Sequence, residues 1–370
     1  MRVAASVVDD AIADVRAAVL SSERVGAAGG ASKPALSAGA TLRLSHVAGV
    51  VAYDPQEFTF TALAGSPVRD IADVLAEFDQ ELPFDPPLAE AGATLGGTVA
   101  AGLSGPGRFR YGGVRDFLLG VRFVSGDGTL VTGGGKVVKN AAGFDFPKLM
   151  VGSLGAFGVM VELTFKVFPR PEAHATLEVA LPSFGDAVTT MHRLATSGLE
   201  LACLELTPPA TLRLRVGGLA EALDARVARV QASCGAPATV LLGSADAALW
   251  RREREFAWLR AGHALVKVAL APTAVPRFEE ALAEHAVPLP RRYGVGGNVA
   301  YLAWPEDRGG EELDGLLGSL GLAGVALTGV WPRPLLGVRT GGAFLERIAG
   351  VLDPEGKFRV EPEEGVGDAA

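Results

Sequence analysis

The chain has 370 residues, 49% of them apolar and 21% charged, which is enough for a large core and close to globular norms. Its net charge of −8 argues against a general nucleic-acid-binding surface, leaving at most a local basic groove. Its two cysteines, Cys203 and Cys234, have no ligand-like spacing, which excludes a disulfide framework, a zinc site and a cysteine-held iron–sulfur cluster and suits a reducing cytoplasm.

No apolar run is long enough to span a bilayer, and Met1-Arg2-Val3 leads into an acid-interrupted amphipathic segment rather than a signal peptide. A soluble protein is expected. Val8, Ile12, Val15 and Val19 share one face of that first helix. A small-residue turn follows at 24–34, then short strands at 41–44, 50–53 and 57–64. Ser66-Pro67 reads as a hydroxyl cap and first-turn proline for a helix whose buried face is Ile71, Val74, Leu75 and Phe78. Ser125-Gly126-Asp127-Gly128 sits between β-like runs as a hairpin, and 159–167 is the strongest strand. Pro169-Arg170-Pro171 marks a domain boundary. Beyond it the pattern predicts strands at 176–181, 199–206, 212–216 and 264–270. Helices are predicted from Phe184, up to Ser233, over 249–260 and over 276–284. A last helix carries Phe344, Leu345, Ile348, Val351 and Leu352, and residues 361–370 form an acidic tail.

Eighteen of the 48 glycines fall within residues 92–171. Glycine is entropically expensive in a fold, so this density points to backbone that must approach something closely. Exposed amides in such loops make concave anion sites suited to phosphates. The familiar phosphate motifs do not fit. Gly133-Gly134-Gly135-Lys136-Val137 lacks the first glycine and the hydroxyl of a P-loop. Gly152, Gly155 and Gly158 precede a strand instead of linking strand to helix, unlike a dinucleotide fingerprint.

The remaining runs, in order, are Gly29-Gly30-Ala31-Ser32-Lys33, Leu82-Pro83-Phe84-Asp85-Pro86-Pro87, Ala93-Thr94-Leu95-Gly96-Gly97, Ala100-Ala101-Gly102-Leu103-Ser104-Gly105-Pro106, Val114-Arg115-Asp116-Phe117 and Val138-Lys139-Asn140 through Gly143-Phe144-Asp145. Together they resemble the FAD-binding domain shared by p-cresol methylhydroxylase, vanillyl-alcohol oxidase and the flavin-dependent 2-hydroxyacid dehydrogenases. Within that family they are most similar to the FAD-binding subunit of bacterial glycolate oxidase. The resemblance covers residues 1–171 well and the rest only by general pattern. It implies an α+β fold: a two-lobed FAD-binding domain at 1–171, a smaller α+β cap with an antiparallel sheet at 172–335, and a C-terminal helix and tail at 336–370 returning toward the first domain.

The resemblance also assigns roles. Gly29, Gly30, Ala31, Ser32 and Lys33 would cradle the FAD pyrophosphate, where turn composition alone would give an ordinary β-turn. Pro87, Ala93, Thr94, Gly96, Gly97, Thr98, Ala100, Ser104 and Gly105 would run beside the ribityl chain and flavin ring. Gly155, Phe157 and Val159 would lie near the adenosine. Lys136, Lys139 and Lys148 have surface charge as their ordinary reading. Relatives that bind flavin covalently often carry His where this chain has Ala31, so FAD is expected to be non-covalent. Phe144 replaces a frequent Tyr, and Asp353-Pro354-Glu355-Gly356-Lys357-Phe358 resembles the family's closing motif without its usual continuation.

The second half is less informative about chemistry. Oxidising a 2-hydroxyacid takes a base and a cation or metal, and catalytic relatives supply them with a His-rich motif. Here His46, His174, His192, His263 and His285 stand alone, as surface or core histidines usually do, and no metal site is expected. Arg292, beside Arg291, is the one weak catalytic candidate, as a carboxylate-binding group; a solvated arginine pair is the ordinary alternative. The resemblance implies a homologous larger FAD subunit and an iron–sulfur subunit as partners, with a small 2-hydroxyacid as substrate. It places the complex in the cytoplasm, or at the inner membrane through its partners. Two alternatives stay open: a self-sufficient FAD-dependent 2-hydroxyacid dehydrogenase, and a scaffold that has lost flavin.

Overall fold

The computed structural model describes residues 3–135, 144–284, 288–339 and 341–358. Lys136, Lys139, Asn140, Gly143 and His285 therefore lie outside the described residues.

The N-terminal part begins with α1 (Ala5–Ser21), whose Val8, Ile12, Val15 and Val19 are all buried. A two-stranded parallel sheet, β1 (Ala27–Ala28) with β2 (Leu42–Arg43), brackets the one-turn α2 (Pro34–Ser37). Next come β3 (Val50–Asp54), β4 (Thr59–Leu63), α3 (Val68–Ala76) and β5 (Gln80–Glu81). The glycine-rich segment holds α4 (Leu95–Ala101), α5 (Arg108–Tyr111) and α6 (Val114–Phe117), then the hairpin β6 (Leu118–Val124) and β7 (Leu130–Gly134). The helix α7 (Phe146–Met150) leads to β8 (Val159–Lys166) and the short β9 (Phe168–Pro169), which pairs with β5. The main sheet runs β3-β4-β8-β6-β7, antiparallel throughout. β8 occupies its centre, so its residues are buried on both faces and read as a nearly continuous apolar run.

The second part starts at β10 (Ala173–Ala180) and α8 (Phe184–Ala195), continuing with β11 (Cys203–Thr207), β12 (Thr211–Gly218), α9 (Leu223–Cys234) and β13 (Ala238–Leu242). Then come α10 (Gly243–Arg254), β14 (His263–Ala269), α11 (Val275–Ala283), β15 (Arg291–Gly294) and β16 (Val299–Pro305). The last elements are α12 (Gly310–Leu320), β17 (Ala323–Ala326), β18 (Leu335–Gly337) and α13 (Gly342–Leu352). Nine strands form one antiparallel sheet, ordered β13-β10-β12-β11-β15-β16-β14-β17-β18. One face packs on α8, α9, α11 and α12 through residues such as Val266, Ala300 and Trp304. From the other face Leu265, Val299 and Tyr301 join the core of the N-terminal part.

The closing motif is tied down by one buried carboxylate. Asp353 accepts from the Lys357 and Phe358 amides at 2.8 Å each, and the Leu352 carbonyl accepts from Gly126 at 2.8 Å. Lys357 donates through Nζ to the Val19 carbonyl at 3.0 Å, closing the chain onto α1.

Several sequence expectations change. Ser66 does not cap α3; it is buried, and its Oγ accepts from the Gly49 amide at 2.9 Å to close a neighbouring loop. Phe78 lies beyond the end of α3, half exposed, edge-on to Tyr53. The helix expected over 249–260 is α10, which ends at Arg254 because Phe256 turns left-handed, with φ 51°. β13, β15, β16, β17, β18 and α12 carried no prediction. β16 is buried on both faces, which removes the alternation that marks a strand.

Candidate cofactor cleft and interdomain pocket

A cleft with about 730 Å³ of free space opens in the N-terminal part, between the 27–33 turn, α4 and the 154–160 turn. Gly29, Gly30, Ala31, Ser32, Lys33, Thr94, Gly96, Gly97, Ala100 and Gly155 line it, with Leu36, Ser37, Leu154, Gly158 and Met160 as further walls. The glycine run at 95–101 is a short helix rather than a loop. Thr94 caps it, its Oγ1 accepting from the Gly97 amide at 3.2 Å. Gly30 has a packing reason to be glycine, since a Cβ there would overlap the Gly92 carbonyl. The two loops meet backbone to backbone, which holds the cleft's walls together.

The turn at 30–33 suits an anion. Ala31 is left-handed, with φ 52°, and among the described residues the amides of Ala31, Ser32 and Lys33 donate no hydrogen bond. A turn of this kind presents its N–H groups outward as a nest. Lys33 is 7% exposed, and its Nζ donates to Ser32 Oγ at 3.1 Å. It has no carboxylate partner among the described residues, and burial lowers its pKa to about 8. A buried cation without a counter-charge is costly, and a phosphate-bearing ligand would offset that cost.

The other named residues lie elsewhere. Ala93 is fully buried, and its carbonyl accepts from the Val68 amide at the start of α3. Thr98 is buried, with no partner for its Oγ1 among the described residues. The Val159 side chain packs with α1, and Phe157 with the main core of the N-terminal part. Pro87, Ser104 and Gly105 line a second cavity of about 350 Å³ between the two parts of the molecule.

Across that pocket stand Glu205 on β11, Glu253 and Arg254 on α10, Arg292 on β15, Val299 and Tyr301 on β16, and Phe256 and Trp258. The strand order β11-β15-β16 makes the first of these residues neighbours. Arg291 and Arg292 are not a solvated pair. Arg291 is ion-paired to Glu279 on the opposite face. The Arg292 guanidinium lies 4.9 Å from the Trp258 ring centre and 3.4 Å from Glu253. Arg213 shares that Glu253 carboxylate. Burial, and then the charge of Glu253, push the Glu205 carboxyl up to about 8, against the pull of Arg292 and Arg213.

Several bonds fix the pocket's walls to one another. Arg254 pairs with Asp85 at 2.8 Å, and Glu255 accepts the amides of Glu90 and Ala91 at 3.0 and 3.2 Å. Tyr301 donates to the Ser104 carbonyl at 3.3 Å, while Ser104 Oγ accepts from Val114 at 2.9 Å. Lys267 on β14 reaches the Gly102 carbonyl at the end of α4, at 3.0 Å, and burial lowers its pKa to about 8.

Among the described residues the histidines take no part in either cavity. His174 is held down at about 4 by burial and by Arg215; His192 and His263 contact the carbonyls of Pro272 and Ala261; His46 is exposed. Among the described residues no group of His, Cys, Asp and Glu could hold a metal, and no helix is long and apolar enough to cross a membrane.

Comparison with known proteins points to an FAD binding domain in the N-terminal part. Residues 2–134 match the family model described as FAD binding domain. The chain is 47% identical over 139 residues to glycolate oxidase subunit GlcE of Escherichia coli, covering 38% of this chain and 40% of that protein. It is 31% identical over 165 residues to mitochondrial D-lactate dehydrogenase [cytochrome] 1 of Saccharomyces cerevisiae (45% of this chain, 28% of that one). It is 28% identical over 174 residues to glycolate oxidase subunit GlcD of Bacillus subtilis (47% and 37%). These alignments span well under half of each relative's length. Two structures of alkyldihydroxyacetonephosphate synthase share the fold over 94% of this chain and 74% of theirs, with TM-scores of 0.66 and 0.67 at 15% and 14% identity.

Proposed function

We propose that this chain, whose residues 2–134 are an FAD binding domain, is the FAD-binding subunit of a complex that oxidises glycolate or a related 2-hydroxyacid. The observation that carries the reading is the cleft. Its two main walls, the 29–33 turn and the 94–101 segment, both fall within the matched domain, and they enclose one buried lysine that lacks a counter-charge among the described residues. The names of its relatives, two glycolate oxidase subunits and a D-lactate dehydrogenase, supply the substrate class. A homologous larger FAD subunit and an iron–sulfur subunit are the proposed partners, and the cytoplasm, or the inner membrane through those partners, is the proposed site.

Bound FAD would supply the two-electron acceptor. The chain's own residues hold it. Lys33 and the amides of Ala31, Ser32 and Lys33 receive the pyrophosphate, and Gly96, Gly97 and Ala100 leave room along α4. Gly155 keeps the far end open, with φ 85° and no atom within 4 Å of where a Cβ would stand. Ala31 offers no nucleophile to the flavin, so the cofactor is held without a covalent bond.

The test is to purify the chain alone and record its flavin spectrum, then precipitate it with acid. A yellow protein whose colour passes wholly into the supernatant is expected. A colourless protein that takes up no added FAD would refute the reading, and colour kept in the washed pellet would refute non-covalent binding.

A further inference from the structure

The interdomain pocket is built from charged side chains that the FAD cleft does not use. Glu253 is engaged by both Arg213 and Arg292, whereas Glu205 has no ion-pair partner within 4 Å among the described residues. Glu205 is 8% exposed and lines the cavity, and so does Arg292, whose Nε faces Glu253 at 3.4 Å and whose Nη1 donates to the Arg291 carbonyl at 3.0 Å. The opposite wall is Ser104 and Gly105, at the C-terminal end of the segment whose beginning lines the cleft.

Charge balance decides what can enter. Arg213, Arg292 and Arg254 are matched by Glu178, Glu253 and Asp85 through ion pairs. With Glu205 neutral these three pairs balance, Arg108 adds its positive charge near Tyr301, and the pocket can accept a negative charge beside Arg292. With Glu205 ionised, a second anion next to it would meet repulsion in a poorly solvated site. The pocket is smaller than the cleft and suits a small ligand.

We propose that this pocket binds a small monocarboxylate, which Arg292 pairs and to which the Glu205 carboxyl donates a hydrogen bond. The proposal rests on the functional reading above and adds to it a proton requirement and a second binding residue. Glu205 is faced by Glu253 from α10, Arg213 from β12, Arg292 from β15, Asp85 from the other wall, Tyr301 from β16 and Cys203 on its own strand. Desolvation outweighs the two arginines, so the carboxyl keeps its proton near neutrality and loses it as pH rises through about 8.

The test titrates the FAD-loaded protein with propionate, which offers a carboxylate but no oxidisable hydroxyl. Binding is followed by calorimetry and by the fluorescence of Trp258 in the pocket wall, with Trp258→Phe as the control for that signal. Propionate is expected to bind at about pH 6.5 and to weaken roughly tenfold for each pH unit above 8. Glu205→Gln, which stays neutral and can still donate through its amide, should lose the pH dependence. Arg292→Gln should weaken binding about tenfold or more at every pH. No binding to a protein that retains its flavin would overturn the pocket proposal while leaving the FAD reading intact. A pH dependence that survives in Glu205→Gln would overturn the role of Glu205. Flavin content and circular dichroism establish that each variant is folded.

Discussion

The two cavities are built by opposite means. The cleft proposed for FAD is made of backbone, small side chains and, among the described residues, a single buried cation. The second pocket is made of arginines and carboxylates anchored on a sheet, with the N-terminal part supplying little more than Pro87, Ser104, Gly105 and Pro106. The contrast follows from the tasks proposed for them. A long cofactor with a pyrophosphate needs close approach over an extended surface, which glycine and main-chain amides provide. A ligand of a few atoms has to be recognised by a few strong, directed charges.

If the cavities are this separate, they should fail separately. The largest effect is expected at Asp246. This carboxylate is 2% exposed; it accepts from Thr176 at 2.6 Å and pairs with Arg215 at 2.6 Å, fixing α10, which carries Glu253 and Arg254. Asp246→Ala leaves Arg215 uncompensated and should cost about 3–5 kcal/mol in denaturant unfolding. Propionate binding should go with it, while the folded fraction keeps its flavin. Flavin lost in step with the pocket would break the comparison.

Lys33→Met tests the other side. Removing the cleft's buried cation should cost roughly 1.5–3 kcal/mol of FAD affinity, or about 10- to 100-fold in Kd, with propionate binding intact in protein saturated with FAD. Because the free lysine titrates near 8 and a phosphate would raise that value, FAD binding should take up a proton above about pH 8. Wild-type affinity should therefore fall as pH rises past 8, and the Lys33→Met variant should not share that trend.

Gly30→Ala should destabilise the protein by about 1–3 kcal/mol, because its Cβ meets the Gly92 carbonyl, and it should lower flavin content as the two loops part. Thr94→Val removes the cap of α4 while keeping its shape. About 1 kcal/mol of stability should be lost, read in the same denaturation experiment, with FAD weakened less than in Lys33→Met.

How readable each region was follows from how its residues are spaced. Gly29 to Lys33 and Thr94 to Ala100 are local runs, so the contacts that shape the cleft come from neighbours in sequence, and motif order was enough to suggest FAD. Even there, that 95–101 is a capped helix could not be seen, since Gly96, Gly97, Thr98 and Val99 are a run of poor helix formers. Arg292 was visible only as half of an arginine pair. Glu205 gave no signal, because a single carboxylate between Leu204 and Leu206 reads as the solvent side of a strand.

The amino-acid sequence alone determined the amphipathic first helix, the central apolar strand β8, the hairpin and the family resemblance of the first 171 residues. These are properties of short stretches, fixed by periodicity and by turn chemistry. Tertiary structure alone decided which charges meet. Glu205, Glu253, Arg292 and Tyr301 come from four elements, and only the strand order β11-β15-β16, with α10 packed beside it, brings them to one cavity. Burial there reverses the ordinary reading of a glutamate, since desolvation is a property of the assembled pocket and of no segment in isolation.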